Sequence, residues 1–286
     1  MTMVAPRQGA EGRPRLNGRA AATILAASGL AVVLGVLVAA VLLGQTGIRA
    51  DFAARLLPPS LAHPFGTDPM GRDMLARTIK GLAVSLKVGL LAATVSVVIA
   101  TLLALAAATL GRGVDAVVSF LVDATMGLPH LVLLILISFA LGGGTTAVII
   151  AVAVTHWPRL TRILRAEILQ LRHAEYVTVS RRFGRSWWFV ARHHFLPHLV
   201  PQMLVGLVLM FPHAILHEAG LTFLGFGLEP SQPAIGILLS ESMRYLTAGR
   251  WWLGLFPGLS LLLVVLCFDA IGNGLRTLTD PRASQD

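Results

Sequence analysis

The sequence predicts an all-α membrane protein of about six transmembrane helices, interrupted by one polar cytoplasmic loop. Three observations carry that prediction. The 286 residues are 55% hydrophobic and only 13% charged, with mean hydropathy +0.76, about half the charged fraction of a soluble domain. The apolar residues fall in runs long enough to cross a bilayer. Between two of those runs lies a strongly basic insert, Arg172 to Pro201.

Residues 1–19 are polar, with Arg7, Arg13, Arg15 and Arg19 among scattered Gly and Pro, the composition of a disordered cytoplasmic tail. Ala20 to Leu43 follows as an apolar run of about 24 residues. It is too long for the core of a signal peptide and long enough to span, so it reads as a retained first helix held inside by the arginines. Segment 44–81 is Pro-rich and polar and reads as periplasmic. Within it Asp68 precedes Pro69 and Gly71 and favours a turn, while Asp73 is placed to cap an amphipathic helix starting near Met74 at the outer membrane surface.

The remaining spans are read at Leu82 to Leu110, Val114 to Ala140, Thr145 to about Leu160, Leu199 to about Ala219, and Leu253 to Leu275. Small residues in the second and third permit close helix approach. Asp123 and Pro129-His130 interrupt the third. The basic insert reads as a short amphipathic helix, a break at Gly184, a basic-aromatic turn, and a stop at Pro197 and Pro201. Gly220 to Arg250 is a mixed, Gly-broken stretch, and Trp251 and Trp252 resemble an interfacial belt. With both termini inside, fifteen of the 23 Lys and Arg fall on the cytoplasmic side and eight outside, as the positive-inside bias requires.

Four separated motifs then converge. The spacing Gly184, His194, Leu196-Pro197, with Glu175-Tyr176-Val177 and the run Arg181 to Gly184, resembles the cytoplasmic loop of inner-membrane permeases of bacterial ABC importers, peptide and nickel branch. The family's Glu-Ala-Ala triplet falls on Thr178, Val179 and Ser180, and His194 replaces an aliphatic residue. Gly66-Thr67-Asp68 with Gly71-Arg72-Asp73, Leu221 to Leu228, and Gly272 to Arg276 with Asp280-Pro281-Arg282 resemble further motifs of the same family. The Asp expected at Asn273 and the Asn expected at Asp269 stand exchanged. The resemblance covers roughly Ala62 to Arg282. It implies a type I importer permease core over 82–282, a coupling loop at 172–198 and a short tail at 283–286.

The resemblance also implies partners: a second homologous permease subunit, two cytoplasmic ATPases and a periplasmic solute-binding protein, in the lipid of a bacterial inner membrane. Glu175, Tyr176, Ser180, Arg181, Gly184, His194, Leu196 and Pro197 would then couple to an ATPase. ATP and magnesium would belong to that partner, because Lys80 and Lys87 are the only lysines and neither follows a phosphate-binding loop. No cofactor is expected on this chain. The single Cys267 permits no internal disulfide and no thiolate metal site. The positive charge is accounted for by topology rather than by nucleic acid.

Ionisable groups inside a membrane helix are functional suspects because burying them is costly. His213 and His217, four apart, share one helix face, and Glu218 follows. Two imidazoles suit nickel, copper or zinc but do not complete a site; the competing reading is helix packing. His213, His217 and His156-Trp157 resemble the nickel branch, so the sequence leans toward nickel or a metal chelate as cargo. Glu218 departs from the expected apolar residue and leaves peptide open. His193, His194 and His198 read as docking contacts. Asp123, Glu167 and Asp269 read as structural partners for Arg165 or Arg276. A membrane-embedded hydrolase is the alternative of another class, but there is no HExxH motif and no Ser-His-Asp set with supporting turns.

Overall fold

A computed structural model describes residues 18–279. The expectations for residues 1–17 and 280–286, including the N-terminal tail and Asp280-Pro281-Arg282, lie outside the described residues. The described residues form ten α-helices and no strand beyond one bridge between Thr67 and Asp73. Five helices are long and apolar enough to cross a membrane, and one bent pair supplies a sixth candidate span.

Helix α1, Gly18–Leu42, lies mainly along α10, Trp252–Thr279. The centre of the bundle is α2, Met74–Thr109, which touches α1, α3, α5, α8, α9 and α10. Ala92, Ala93, Ala100 and Ala104 are fully buried along it. Small side chains here let the neighbouring helices approach one axis closely. No separate amphipathic helix lies on the surface at Met74. Asp73 caps as expected, its carboxylate accepting from Ala76 N at 2.9 Å, but the first turns of α2 are buried under other protein segments and run straight into the span.

The predicted third span is two helices, α3 (Arg112–Gly127) and α4 (His130–Ala140), meeting at 98°. The residue before a proline is driven to extended backbone, and Leu128 obeys at ψ 144°. Helix α5, Gly144–Leu171, runs about eleven residues beyond its expected end. Two ion pairs tie it to α3: Arg165 Nη2 to Asp115 Oδ2 at 2.6 Å, and Arg162 to Asp123. A third contact, His198 Nε2 to Glu167 Oε1 at 3.2 Å, ties it to α8. Asp115 therefore takes the role expected of Asp123, Glu167 or Asp269 toward Arg165.

The basic insert forms a helical hairpin: α6 (Glu175–Arg182), then α7 (Trp187–Val190), then a π turn (Ala191–Phe195) leading into α8 (Leu196–Phe223). Pro197 and Pro201 do not stop the helix. Pro197 sits in the first turn of α8, directly after the π turn that feeds into it, and Pro201 and Pro212 are carried within the span. His194 and His198 consequently lie on one unbroken helical path. After α8 a turn anchored by Leu228 N on Thr222 Oγ1 leads to α9, Ile235–Leu246. Trp251 is half exposed, but Trp252 is 4% exposed and its Nε1 faces Thr67 O at 3.4 Å. Trp252 thus pins the 44–73 segment to the bundle instead of completing an interfacial belt.

Candidate functional site

The first candidate surface is the hairpin. Helix α6 has one buried side chain, Val177 at 1% exposure, which belongs to the same apolar cluster as Leu164, Ile168, Val190 and Phe195. The helix ends in a Schellman arrangement: Arg185 N donates to Ser180 O at 3.1 Å and Gly184 N to Arg181 O at 3.0 Å. Gly184 sits at φ +77°, the left-handed region that glycine adopts without penalty. Ser186 then caps α7 by accepting from Phe189 N at 3.2 Å.

Across the hairpin, Ser180 Oγ and His194 Nε2 are 2.9 Å apart, and the Tyr176 ring lies 5.4 Å from the His194 ring. Arg181 and Arg172 approach the Trp187 ring at 4.5 and 5.0 Å. These contacts fix the two arms relative to each other while Phe183, Trp188, Tyr176 and Val179 project outward, Phe183 at 82% exposure. Aromatic side chains held out on a rigid base are the usual anchors of a protein interface. The structure brings the predicted Glu175, Tyr176, Ser180, Arg181, Gly184 and His194 into this one hairpin. Leu196 and Pro197 stand at its root, where α8 begins.

The second candidate lies within the membrane helices. His156 is on α5, about 18 Å along the axis from the start of that helix at 1.5 Å per residue. His217 is on α8 and His130 opens α4 just after the bend. The three imidazoles meet edge to face, with ring centroids 4.7 Å (130–156), 4.7 Å (130–217) and 5.0 Å (156–217) apart. One nitrogen from each lies within 4.8 Å of the other two. His213 is exposed one turn before His217 and stands outside this trio, although its carbonyl accepts from His217 Nδ1 at 2.7 Å.

Glu218 is also outside the trio. It is fully buried, its Oε1 accepting from Thr222 Oγ1 at 3.0 Å, and its Oε2 has no hydrogen-bond partner. His130 is the residue that sequence reasoning passed over. Its signal was an imidazole in an apolar stretch directly after Pro129; only the 98° bend carries it to α5 and α8.

At the opposite end of the bundle, Asp68 is 1% exposed and accepts from Met70 N and Arg72 N at 2.8 Å, the turn the sequence predicts. It also receives Arg72 Nε and Arg77 Nη1, each at 2.6 Å, and Arg77 continues to Glu241 Oε2 on α9 at 3.0 Å. This network joins two motif aspartate neighbours to α9, a contact 164 residues apart in the chain that no local pattern announces.

Residues 96–285 match the family described as binding-protein-dependent transport system inner membrane component. The chain belongs to that family, the inner-membrane permeases of ABC importers. This permease is 33% identical to a dipeptide transport system permease protein of Bacillus subtilis over 90% of its own length and 82% of the relative's. It is 38% identical to a putative peptide transport system permease protein of Brucella abortus, covering 90% and 88%. It is 34% identical to a probable D,D-dipeptide transport system permease protein of Escherichia coli, covering 82% and 78%. The descriptions of these relatives name peptide, not nickel, so the weight of likeness moves from the metal cargo that the histidines suggested to the peptide alternative. A multi-pass permease of this kind is a transport subunit working with other components of a binding-protein-dependent system; the family gives no support to the hydrolase alternative.

Proposed function

We propose that this permease forms the translocation path of a peptide-importing ABC transporter, with α6 and α7 as the element that docks on a cytoplasmic ATPase. The observation that carries the docking role is the hairpin's construction: Val177 buried at its base, Ser180 and His194 bridging its arms, and Phe183 and Trp188 exposed at its tip. The peptide cargo is supported by the three relatives, each matched over at least 82% of this chain.

In this reading both termini and the hairpin face the cytoplasm of a bacterial inner membrane, ATP and magnesium are held by two ATPase subunits, and a second permease completes the path. A periplasmic binding protein delivers peptide to the opposite end. ATPase closure would push on the hairpin, and the push would travel through α5 and α8, which enter and leave it as continuous helices, to the level of His156 and His217. Rigid helices transmit such displacement because packed cores do not deform continuously.

A second reading, nickel or a metal chelate as cargo, is favoured by the imidazoles on α4, α5 and α8. Uptake decides between the two. Cells lacking the chain and cells with it restored are offered a labelled dipeptide and labelled nickel, the latter with and without a histidine chelator. Chain-dependent dipeptide uptake is expected. Nickel uptake alone would replace the peptide reading with the metal one.

A further inference from the structure

We propose that His130, His156 and His217 form a binding site for a divalent transition-metal cation of the nickel, copper and zinc class, with its remaining coordination positions open. The site gives the second reading a defined location. Its existence as a binding site rests on geometry alone, so it stands or falls separately from the peptide cargo.

Two of the three ring tautomers are fixed from outside the cluster. His156 Nδ1 lies 2.9 Å from Val152 O, and His217 Nδ1 lies 2.7 Å from His213 O. A carbonyl oxygen only accepts, so in each neutral ring Nδ1 carries the hydrogen and Nε2 presents its lone pair. Metal-ligating histidines are oriented by this kind of bond from the non-ligating nitrogen, which also raises the basicity of the other. His156 Nε2 is buried and has no hydrogen-bond partner. An unmet acceptor inside a membrane bundle is a standing cost that a cation would remove.

The dimensions fit with a small adjustment. Three nitrogens around 2.0–2.1 Å from one tetrahedral ion stand about 3.4 Å apart. The observed separations are within 4.8 Å, so an ion would draw the three rings together from helices α4, α5 and α8. All three residues are half-buried rather than sealed, which leaves a face where water or a ligand brought by the ion completes the coordination. Imidazole selects borderline cations over magnesium or calcium, which prefer oxygen. No carboxylate belongs to the trio, so the ion's charge is offset by what it brings, and an anionic chelate is a better guest than a bare ion.

The experiment uses the full chain purified with its importer partners through a tag that contains no histidine. Nickel chloride is titrated into the wild type, and nickel K-edge absorption of the loaded complex counts imidazoles. About one nickel per chain with three imidazoles is expected, with no displacement by excess magnesium. His130→Ala and His217→Ala should each weaken nickel binding by at least about tenfold, and His213→Ala should leave it within a factor of about two. Absence of stoichiometric nickel, a coordination shell with fewer than three imidazoles, or equal binding by His130→Ala overturns the site. Because the coordination shell is read on the wild type, poor folding of a variant cannot mask the answer. Dipeptide uptake measured on the same variants separates the two readings: nickel binding lost with uptake retained leaves the peptide permease intact, while a wild type that binds nickel but takes up no dipeptide refutes only the peptide cargo.

Discussion

Arg77 and Asp68 form a nearly dry ion pair, Nη1 to Oδ2 at 2.6 Å, with both side chains at most 5% exposed. The pair is reinforced by two backbone N–H donors on Asp68 and by Glu241 on the other flank of Arg77. Charges removed from water are tolerated only when most of their hydrogen-bonding capacity is met, and here it is. The turn of residues 66–73 is thereby bonded to the N-terminal part of α2 and to α9.

Removing one partner of such a pair strands the other. Asp68→Ala should destabilise the permease by about 3–5 kcal/mol and lower its thermal midpoint in detergent, read by fluorescence-detected size exclusion. Glu241→Gln should do much less, because Glu241 is 40% exposed and water can replace it. Equal losses for the two variants would show that the network is not centred on Asp68.

Gly71→Ala tests the same turn through the backbone. Gly71 has φ +73°, and an added Cβ would stand 1.6 Å from Asp51 O. No side-chain rotation relieves a clash with backbone, so the segment before Met74 must move. The expected result is sharply reduced yield of folded protein, and near-normal yield would mean that the contact between Gly71 and Asp51 is dispensable.

For the hairpin, Val177→Asp places a carboxylate where Val177 is 1% exposed, in the apolar cluster that includes Leu164, Ile168 and Phe195. An unpaired charge there is expelled rather than accommodated, so α6 should detach from the bundle while the spans still insert. Loss of ATPase co-purification with normal membrane yield is the expected outcome. Retained co-purification would mean that docking does not depend on α6 being seated.

Gly184→Arg asks whether the tip matters apart from the base. Nothing lies within 4 Å of an added Cβ, so space is not limiting. The cost is the left-handed φ of +77°, about 1–2 kcal/mol for a residue with a side chain. Insertion should be unaffected, while ATPase binding and transport fall. Undiminished transport would remove the tip from the coupling role.

Ser180→Ala and His194→Ala each delete the 2.9 Å contact between the hairpin arms. A hydrogen bond of this kind contributes about 0.5–1.5 kcal/mol, too little to unfold the hairpin. Both variants should bind ATPase yet transport less substrate per ATP hydrolysed. If Ser180→Ala and His194→Ala together are no worse than either alone, the bond is the shared cause; additive losses would assign them separate roles.

Much of this architecture was legible because lipid imposes simple constraints. Spans must be long, apolar and helical, so α1, α2, α5, α8 and α10 announced themselves by length and composition, and Asp73 announced its cap by position. The hairpin was legible because a basic, aromatic insert has no reason to sit between apolar runs unless it meets another phase or partner. Helix continuity was harder to see. Pro197 and Pro201 signal a stop in water, but in a span neighbouring helices keep the chain helical through them. Pro129-His130 marked an interruption in the third expected span, but not that the chain turns there by 98° into two helices.

The sequence by itself determined the class of protein, the approximate number of spans and the place of the basic hairpin, since each depends on local composition and period. Only the tertiary structure decided which ionisable groups meet. His213 and His217 share a helix face by spacing, yet it is His130 and His156, 87 and 61 positions before His217, that surround it. Likewise, Arg77 finds Glu241 across 164 residues. Such encounters depend on how bent and crossing helices place distant turns beside one another, a property of packing that no local residue pattern encodes.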